Sequence, residues 1–360
     1  MRKTLRITAL LLLLTLTACE RRPLLELQDT HYIRIYIDEE IPNVTTGFYD
    51  PNNVRPAYTS PGIMRVTLAD RESGNIVSER FLRNMGEDER GKYYDGYIVA
   101  TPGRYSLMAY NFDMETTQIS DINNYYKAKA YTNEIAAHLK AKIPSRTEGS
   151  KAQKAPGYDK VVYDPDHLFR VSHLDVVVPY VDYIDTLRTV DGGWFRAESD
   201  VHSYYLQVKV KGLEFATSSV GLLTGLSGSS WVKDGAMDVE DPVTVYFDLH
   251  PGHGSAGIKQ LSSSGAPSSE SVIYTTFNTF GKIPNLENEL EITFDFLTVY
   301  GKPYSETLNI TDVFATPEAR NNRWLLIDHC IEIPEPPKVG GGGFDPGLDD
   351  WEDIESDIEI

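Results

Sequence analysis

The sequence predicts an all-β protein with one short helix, built as two successive β-sandwich domains. Runs of alternating apolar and polar residues recur in both halves of the chain, and clusters of turn residues separate them. The chain has 360 residues, which is more than one hydrophobic core usually serves. Hydrophobic residues make up 41% and aromatic residues 11%, which is a globular composition.

The charge balance and the cysteine count exclude several classes of protein. The chain carries 34 Lys and Arg against 53 Asp and Glu, a net charge of −19. Nucleic-acid binding requires clustered positive charge, so we expect no nucleic-acid partner. Two cysteines are too few for a disulfide-stapled scaffold or a multi-cysteine zinc module.

The first 18 residues predict an export signal. Arg2, Lys3 and Arg6 precede an apolar run at 7–16 that is too short to span a bilayer. Leu16-Thr17-Ala18-Cys19 resembles the lipobox of bacterial lipoproteins, whose cysteine becomes the acylated N-terminus. We predict a signal peptide at 1–18, lipidation (palmitate among the acyl chains) at Cys19 and attachment to the outer membrane through this lipid. The alternative is an ordinary secretory signal that happens to contain a cysteine.

A short lipidated tether, residues 19–29, leads into the predicted N-terminal β-sandwich domain at 30–188. Alternation at Ile33, Ile35 and Ile37 predicts its first strand. Residues 105–112 are apolar on both faces, which is typical of a central strand covered on both sides. The two faces carry Tyr105, Leu107 and Ala109 on one side and Met108, Tyr110 and Phe112 on the other.

Residues 133–143 interrupt the β pattern. Ile135, Leu139 and Ile143 recur at every fourth position, which predicts an amphipathic helix of about three turns. Thr132 or Asn133 would cap it. We expect its apolar face to lie against a sheet.

The predicted C-terminal β-sandwich domain covers 200–334. Leu206, Val208 and Val210 alternate with polar residues, and a last strand is predicted at 323–333. Once the signal is removed, Cys330 is the only thiol, so we interpret it as structural. A Pro- and Gly-rich acidic tail follows at 335–360, either as a solvated tail or as a segment that binds a partner through Trp351 and Ile354.

Sequence motifs for catalysis are missing. The sequence contains no G-x-S-x-G, no phosphate-binding loop and no H-E-x-x-H. We therefore predict no catalytic residue, no metal site, no cofactor and no enzymatic activity. Asp164-Pro165-Asp166-His167 is interpreted as a turn, because it lacks the spacing of a calcium loop.

Two further patterns concern glycans. Tyr93-Tyr94, Tyr125-Tyr126 and Tyr204-Tyr205 could stack on sugars, although tyrosine is also an ordinary strand residue that packs in cores. Asp185-Thr186-Leu187 resembles the short O-glycosylation motif of exported Bacteroidota proteins, which makes Thr186 the candidate acceptor.

Several segments together resemble a family of Bacteroidota lipoproteins of unknown function, related to the anchor and minor subunits of the fimbrillin superfamily. They are CERRPL at 19–24, PGRYSLMAYNF at 102–112, YYLQVKVKGL at 204–213, FNTFG at 277–281, WLL at 324–326 and GGGFDP at 341–346.

This resemblance implies two tandem transthyretin-like β-sandwich domains on an acylated N-terminus. It implies a structural role as a fimbrial anchor or minor subunit, or a role in adhesion at the cell surface. It also implies fimbrial subunits as partners, joined by strand complementation. The alternative is a surface lipoprotein that binds glycan through its tyrosines.

Overall fold

The computed structural model describes residues 29–38, 60–141, 143–146, 157–181, 183–251, 271–284 and 290–336. Strands dominate it, which confirms the all-β prediction. The first half contains β1 (Thr30–Ile37), β2 (Met64–Asp70), β3 (Ile76–Leu82), β4 (Asn84–Asp88), β5 (Gly91–Val99), β6 (Gly103–Asn111), β7 (Thr117–Ser120), β8 (Lys129–Thr132), β9 (Val161–Tyr163), β10 (Phe169–Val178) and β11 (Phe195–Ser199).

The second half contains nine described strands. They are β12 (His202–Lys211), β13 (Ala216–Ser227), β14 (Ser229–Trp231), β15 (Pro242–Asp248), β16 (His250–Pro251), β17 (Ser271–Thr279), β18 (Glu291–Thr298), β19 (Pro303–Asn309) and β20 (Trp324–Glu332). The described residues also form two short helices, α1 (Ala137–Lys140) and α2 (Pro317–Asn322). Single 3₁₀ turns occur at Pro144–Arg146, Leu213–Phe215 and Val313–Ala315.

The first half is organised around an eight-stranded sheet of order β3-β2-β6-β10-β11-β1-β5-β4. β11 connects its two parts, because it pairs with β1 at one end and with β10 at the other. Ile35 of β1, Val66 of β2, Leu107 of β6 and Phe195 of β11 belong to one buried cluster. Both parts of the sheet therefore share a core.

Strand β6 is covered on both faces, as predicted. Leu107 and Ala109 face the core of the eight-stranded sheet. Met108 and Tyr110 face a second cluster that includes Tyr125, Val232 and Phe280 from outside this sheet. Phe112 is the exception, because it is 43% exposed beyond the end of the strand and packs edge-on against Phe81 with ring centroids 5.2 Å apart.

The second half contains a four-stranded sheet of order β16-β17-β12-β20 and a five-stranded sheet of order β19-β18-β13-β15-β9. Leu206, Phe294 and Ile327 share one core cluster that draws on both sheets. Strand β9 precedes residue 188 but pairs in parallel with β15, Val161 opposite Thr244. A three-stranded sheet of order β14-β8-β7 also joins strands from both halves. The division into residues 30–188 and 200–334 stays a prediction.

The helix expected at 133–143 is wrong in length, although its apolar positions are buried. α1 is a single turn, because Ile135 N donates to Val161 O and Tyr163 N donates to Asn133 O, both at 3.0 Å. These bonds hold the start of the segment in an extended conformation beside β9. Ile135 and Ile143 nevertheless pack with Leu222 of the five-stranded sheet. Tertiary pairing overrides the helical periodicity here.

Candidate functional site

Most of the site residues predicted from the sequence lie outside the described residues, namely Cys19, Trp351 and Ile354. Thr186 is described, and it is half-buried beside β1. Tyr32 N donates to Asp185 O at 2.7 Å, and Leu187 N donates to Tyr32 O at 2.8 Å. Thr186 therefore forms a parallel bridge with Tyr32 at the start of the first sheet. Its O-glycosylation stays a prediction.

The three tyrosine pairs serve mainly as packing residues. Tyr94, Tyr125, Tyr204 and Tyr205 are all buried, at most 7% exposed. Sugar stacking needs an accessible ring face, so these four rings do not provide a platform.

The remaining member of the first pair, Tyr93, lies in an arginine–aromatic cluster on the outer face of the first sheet. We define this cluster as Arg34, Tyr36, Asp88, Tyr93 and Trp194. The Arg34 Cζ lies 3.7 Å from the Tyr93 ring centroid, and Arg34 Nη1 donates to Asp88 Oδ2 at 3.1 Å. The guanidinium therefore covers the ring that a sugar would need.

The arginine–aromatic cluster is held by charge as well as by stacking. Tyr36 OH donates to Asp88 Oδ2 at 2.7 Å, and this bond, with the nearby Arg34 charge, lowers the pKa of Asp88 below its ordinary value. Trp194 packs edge-on against Tyr36. The cluster has no local sequence pattern, because Arg34 and Asp88 are 54 residues apart in the chain.

A polar junction links the two halves at the segment before β10. We define it as Asp164, Asp166, His167, Ser203 and Asn278. Asn278 Nδ2 donates to Pro165 O at 2.9 Å, and Asn278 N donates to Asp164 Oδ2 at 3.3 Å. His167 lies between Ser199 and Ser203, with ring nitrogens 3.2 and 3.3 Å from their hydroxyls.

Burial controls the electrostatics of the polar junction. It raises the pKa of Asp164 to about 6, because desolvation disfavours the carboxylate. It lowers the pKa of His167 for the same reason, since the imidazolium is the charged form. Asp166 Oδ2 accepts from the backbone N–H groups of Thr116 and Thr117, which lie 50 and 49 residues earlier. The carboxylate therefore joins two distant segments, and the turn expected at 164–167 is wrong. In the described ranges no group of three or more His, Cys, Asp or Glu side chains is placed to hold a metal ion.

Strand β20 lies at an edge of the four-stranded sheet. It pairs with β12 on one side and is the last described strand of its sheet. Its register shifts between the pairs Val208–Ile327 and Lys209–Cys330, which is an irregularity typical of protected edges. Within the described part of the chain, no helix is long and apolar enough to cross a membrane.

One side-chain contact joins β19 and β20, which are edge strands of two different sheets as described. His329 Nε2 of β20 lies 2.5 Å from Glu306 Oε1 of β19. Tyr304 OH donates to Glu306 Oε2 at 2.8 Å, and burial together with this carboxylate raises the pKa of Tyr304 to about 12. The contact bridges the edges of the two sheets that share the core of the second half.

These features define an all-β protein whose polar clusters join strands and halves. Residues 60–248 match the sequence model of a family described as "Domain of unknown function (DUF5119)". The match covers more than half of the chain, and the chain belongs to this family. The resemblance predicted from the sequence is confirmed at this level.

Two known proteins share most of their length with this chain. A Bacteroides ovatus protein named as a fimbrium anchoring subunit, Fim4B, is 23% identical over 94% of this chain and 92% of its own length. A solved structure described as an adhesin from Bacteroides ovatus superposes with a TM-score of 0.53 at 18% identity, covering 88% of this chain and 97% of that one. The second likeness shows a shared fold.

The fimbrial anchor protein Mfa2 from Porphyromonas gingivalis is more distant. It superposes with a TM-score of 0.41 at 10% identity, covering 82% of this chain and 88% of that one. At this TM-score the superposition does not show a shared fold.

Proposed function

We propose that this chain is a non-enzymatic outer-membrane lipoprotein that anchors a fimbrium, or serves as a minor fimbrial or adhesion subunit. The observation that carries the proposal is the similarity to a protein named as a fimbrium anchoring subunit, which extends over nearly the full length of both chains. Membership of the same β fold as an adhesin of Bacteroides ovatus supports it.

The attachment to the membrane would be through acyl chains on Cys19. A single acyl chain gives marginal binding, at ~0.8 kcal/mol per buried CH₂ group, whereas two or three chains hold a protein permanently. An anchor that resists the pull of a filament needs the permanent form. The lipobox-like sequence before Cys19 supports this arrangement.

The body of the protein would consist of two tandem transthyretin-like β-sandwich domains, residues 30–188 and 200–334. Separate buried clusters support this division, one around Ile35 and Phe195 and the other around Leu206 and Phe294. The strands β8 and β9 of the first half, which pair with β14 and β15, would fasten one domain to the other.

Fimbrial subunits would join by strand complementation, and we propose β20 as the receiving edge. Residues Leu325 to Ile327 pair regularly with β12 and lie at the end of the sheet as the described strands form it. The His329–Glu306 contact would have to open for a longer strand to pair. The tail would add a second contact through Trp351 and Ile354.

The experiment that tests the proposal compares two cysteine variants in cells that assemble fimbriae. Cys19→Ser should release the chain from the outer-membrane fraction and shed fimbriae into the medium. Cys330→Ser is the matched control, because it removes the other cysteine. Cells with this variant should retain the chain in the outer-membrane fraction and the fimbriae on the cell. Retention of the chain and of the fimbriae by Cys19→Ser cells would contradict the proposal.

A further inference from the structure

The first sheet has one end at which the chain enters from the tether. Thr30 of β1 pairs with Val99 at the end of β5, and Gly103 at the start of β6 pairs with Val178 at the end of β10. Ala100 N donates to Asp29 O at 2.8 Å, directly before β1. We call this the tether end of the first sheet.

Exposed apolar and aromatic side chains collect at the tether end. Tyr180 is 75% exposed and Tyr183 is 58% exposed, both on the segment that follows β10. The other members of the set are Val99, Val177 and Ile184, each more than 40% exposed.

The segment that carries the two tyrosines is tied to the sheet beyond Ile184. Asp185 O accepts from Tyr32 N, and Leu187 N donates to Tyr32 O. The segment therefore runs from the end of β10 to the start of β1. The segment is thus held by β10 at Val178 and by β1 at Tyr32.

The position of the tether identifies what covers this surface. Nine residues lie between Cys19 and Asp29, and the ten steps along a fully extended chain span at most about 35 Å. The acyl chains on Cys19 would therefore hold the tether end close to the bilayer. The opposite end of β10, at Phe169, lies about 30 Å further along the strand and leads to the polar junction.

The chemistry of the set fits a lipid interface. Tyrosine rings favour the headgroup region, because one end is apolar and the hydroxyl remains hydrated. Arg104 Nε donates to Asp175 Oδ1 at 3.0 Å, and Arg71 Nη1 lies 3.6 Å from the same oxygen, so Asp175 offsets part of the positive charge at this end. Asp185 Oδ1 accepts from Thr186 N at 2.8 Å, while Asp182 lies outside the described residues.

We propose that the tether end rests on the bilayer surface, with Tyr180 and Tyr183 in the headgroup layer. The proposal rests on the lipidation of Cys19 proposed above. Because Tyr180, Tyr183 and the other members of the set are uncharged, the contact would not depend on attraction to anionic lipids. The contact would direct the polar junction and the second half away from the membrane.

The experiment uses the acylated full-length chain in vesicles of phosphatidylethanolamine and phosphatidylcholine. Tyr180→Cys in a Cys330→Ser background provides a single free thiol for an environment-sensitive NBD label. Tyr180 is exposed, so its replacement should leave the core intact. Val239→Cys in the same background is the matched control, because Val239 is 51% exposed in the second half.

The expected result is a blue shift and a severalfold gain in NBD emission at position 180 on vesicle binding, with no change at position 239. The shift should persist at high salt. If the protein floats with the vesicles but the NBD emission at position 180 does not change, this inference is overturned and the proposed function is left intact. A chain that does not float with the vesicles would overturn both.

Discussion

Asp164 accepts a hydrogen bond from the backbone N–H of Asn278 at 3.3 Å, across the boundary between the two halves of the chain. Asp164 precedes β10 of the first sheet, and Asn278 lies in β17 of the second half. The same Asn278 donates from its side chain to Pro165 O. The halves are therefore joined by a short polar segment in which one carboxyl is largely desolvated.

The stability of the protein should depend on pH through Asp164. Its pKa rises from an ordinary value of 3.8 to about 6 on folding. A group whose pKa rises on folding contributes stability below the unfolded pKa and loses it as pH rises through the folded pKa. Between about pH 4 and pH 7 the free energy of unfolding of the wild-type protein should therefore fall by about 2 kcal/mol through this group. Asp164→Asn should not show this decrease.

Urea unfolding of wild type and Asp164→Asn at both pH values measures this difference. Asp328→Asn is the control, because Asp328 is an exposed carboxylate on β20. Parallel pH profiles for wild type and Asp164→Asn would show that this carboxyl is not the titrating group.

His31 should be replaceable by an apolar residue with a gain in stability. Its side chain is fully buried in β1, and neither ring nitrogen has a hydrogen-bond partner among the described residues. A buried polar atom without a partner costs about 1–3 kcal/mol, so His31→Leu should raise the free energy of unfolding by about 1 kcal/mol. Thermal melts of this variant and of His138→Leu, an exposed control, measure the effect. A lower melting temperature for His31→Leu would refute the prediction.

Two glycines with the same backbone conformation should differ in their tolerance of alanine. Gly212 and Gly301 have φ values of 75° and 77°. A Cβ at Gly212 would lie 2.5 Å from Ile333 O, whereas a Cβ at Gly301 would meet nothing within 4 Å. Gly301→Ala should cost about 1 kcal/mol from backbone strain alone.

Gly212→Ala should cost about 3 kcal/mol, because the Ile333 carbonyl must also move. Urea unfolding measures both variants. An equal decrease in the free energy of unfolding of the two variants would mean that the close contact with Ile333 O does not destabilise Gly212→Ala.

The arginine–aromatic cluster should require arginine rather than any positive charge. Arg34 is 20% exposed, stacks on Tyr93 and bonds Asp88. Lysine lacks the planar fork and stacks less well, so Arg34→Lys should lower the free energy of unfolding by about 1 kcal/mol. Arg83→Lys, at an exposed position, should change nothing measurable. Unfolding of both lysine variants at the same urea concentration would contradict the requirement for arginine at position 34.

Local patterns predicted the strands well because one residue and its neighbours determine which face is apolar. The two covered faces of β6 followed from the apolar residues on both sides of the strand, three on each face, such as Leu107 and Met108. The start of α2 could also have been found, since Thr316 accepts from Ala319 N and Pro317 occupies the first turn. The helix prediction for 133–143 failed because β9, more than twenty residues after Ile135, supplies the backbone pairing that prevents a helix.

The candidate sites were less accessible to sequence analysis. Whether Tyr93 presents its ring face or hides it depends on Arg34 from a different strand, and no local pattern reports that. The same holds for the polar junction, where Asp164 meets Asn278 114 residues later. Cys19 is the opposite case, because its prediction depends only on the residues immediately before it.

The most direct test of the anchoring role is to locate the chain on isolated fimbriae. Fimbriae would be extracted gently from cells that make an epitope-tagged chain and examined by immunogold electron microscopy. We expect gold at a single end of the filaments, since one anchor joins each filament to the membrane. Filaments that carry no gold, with the tagged chain recovered only as free monomer, would contradict the account.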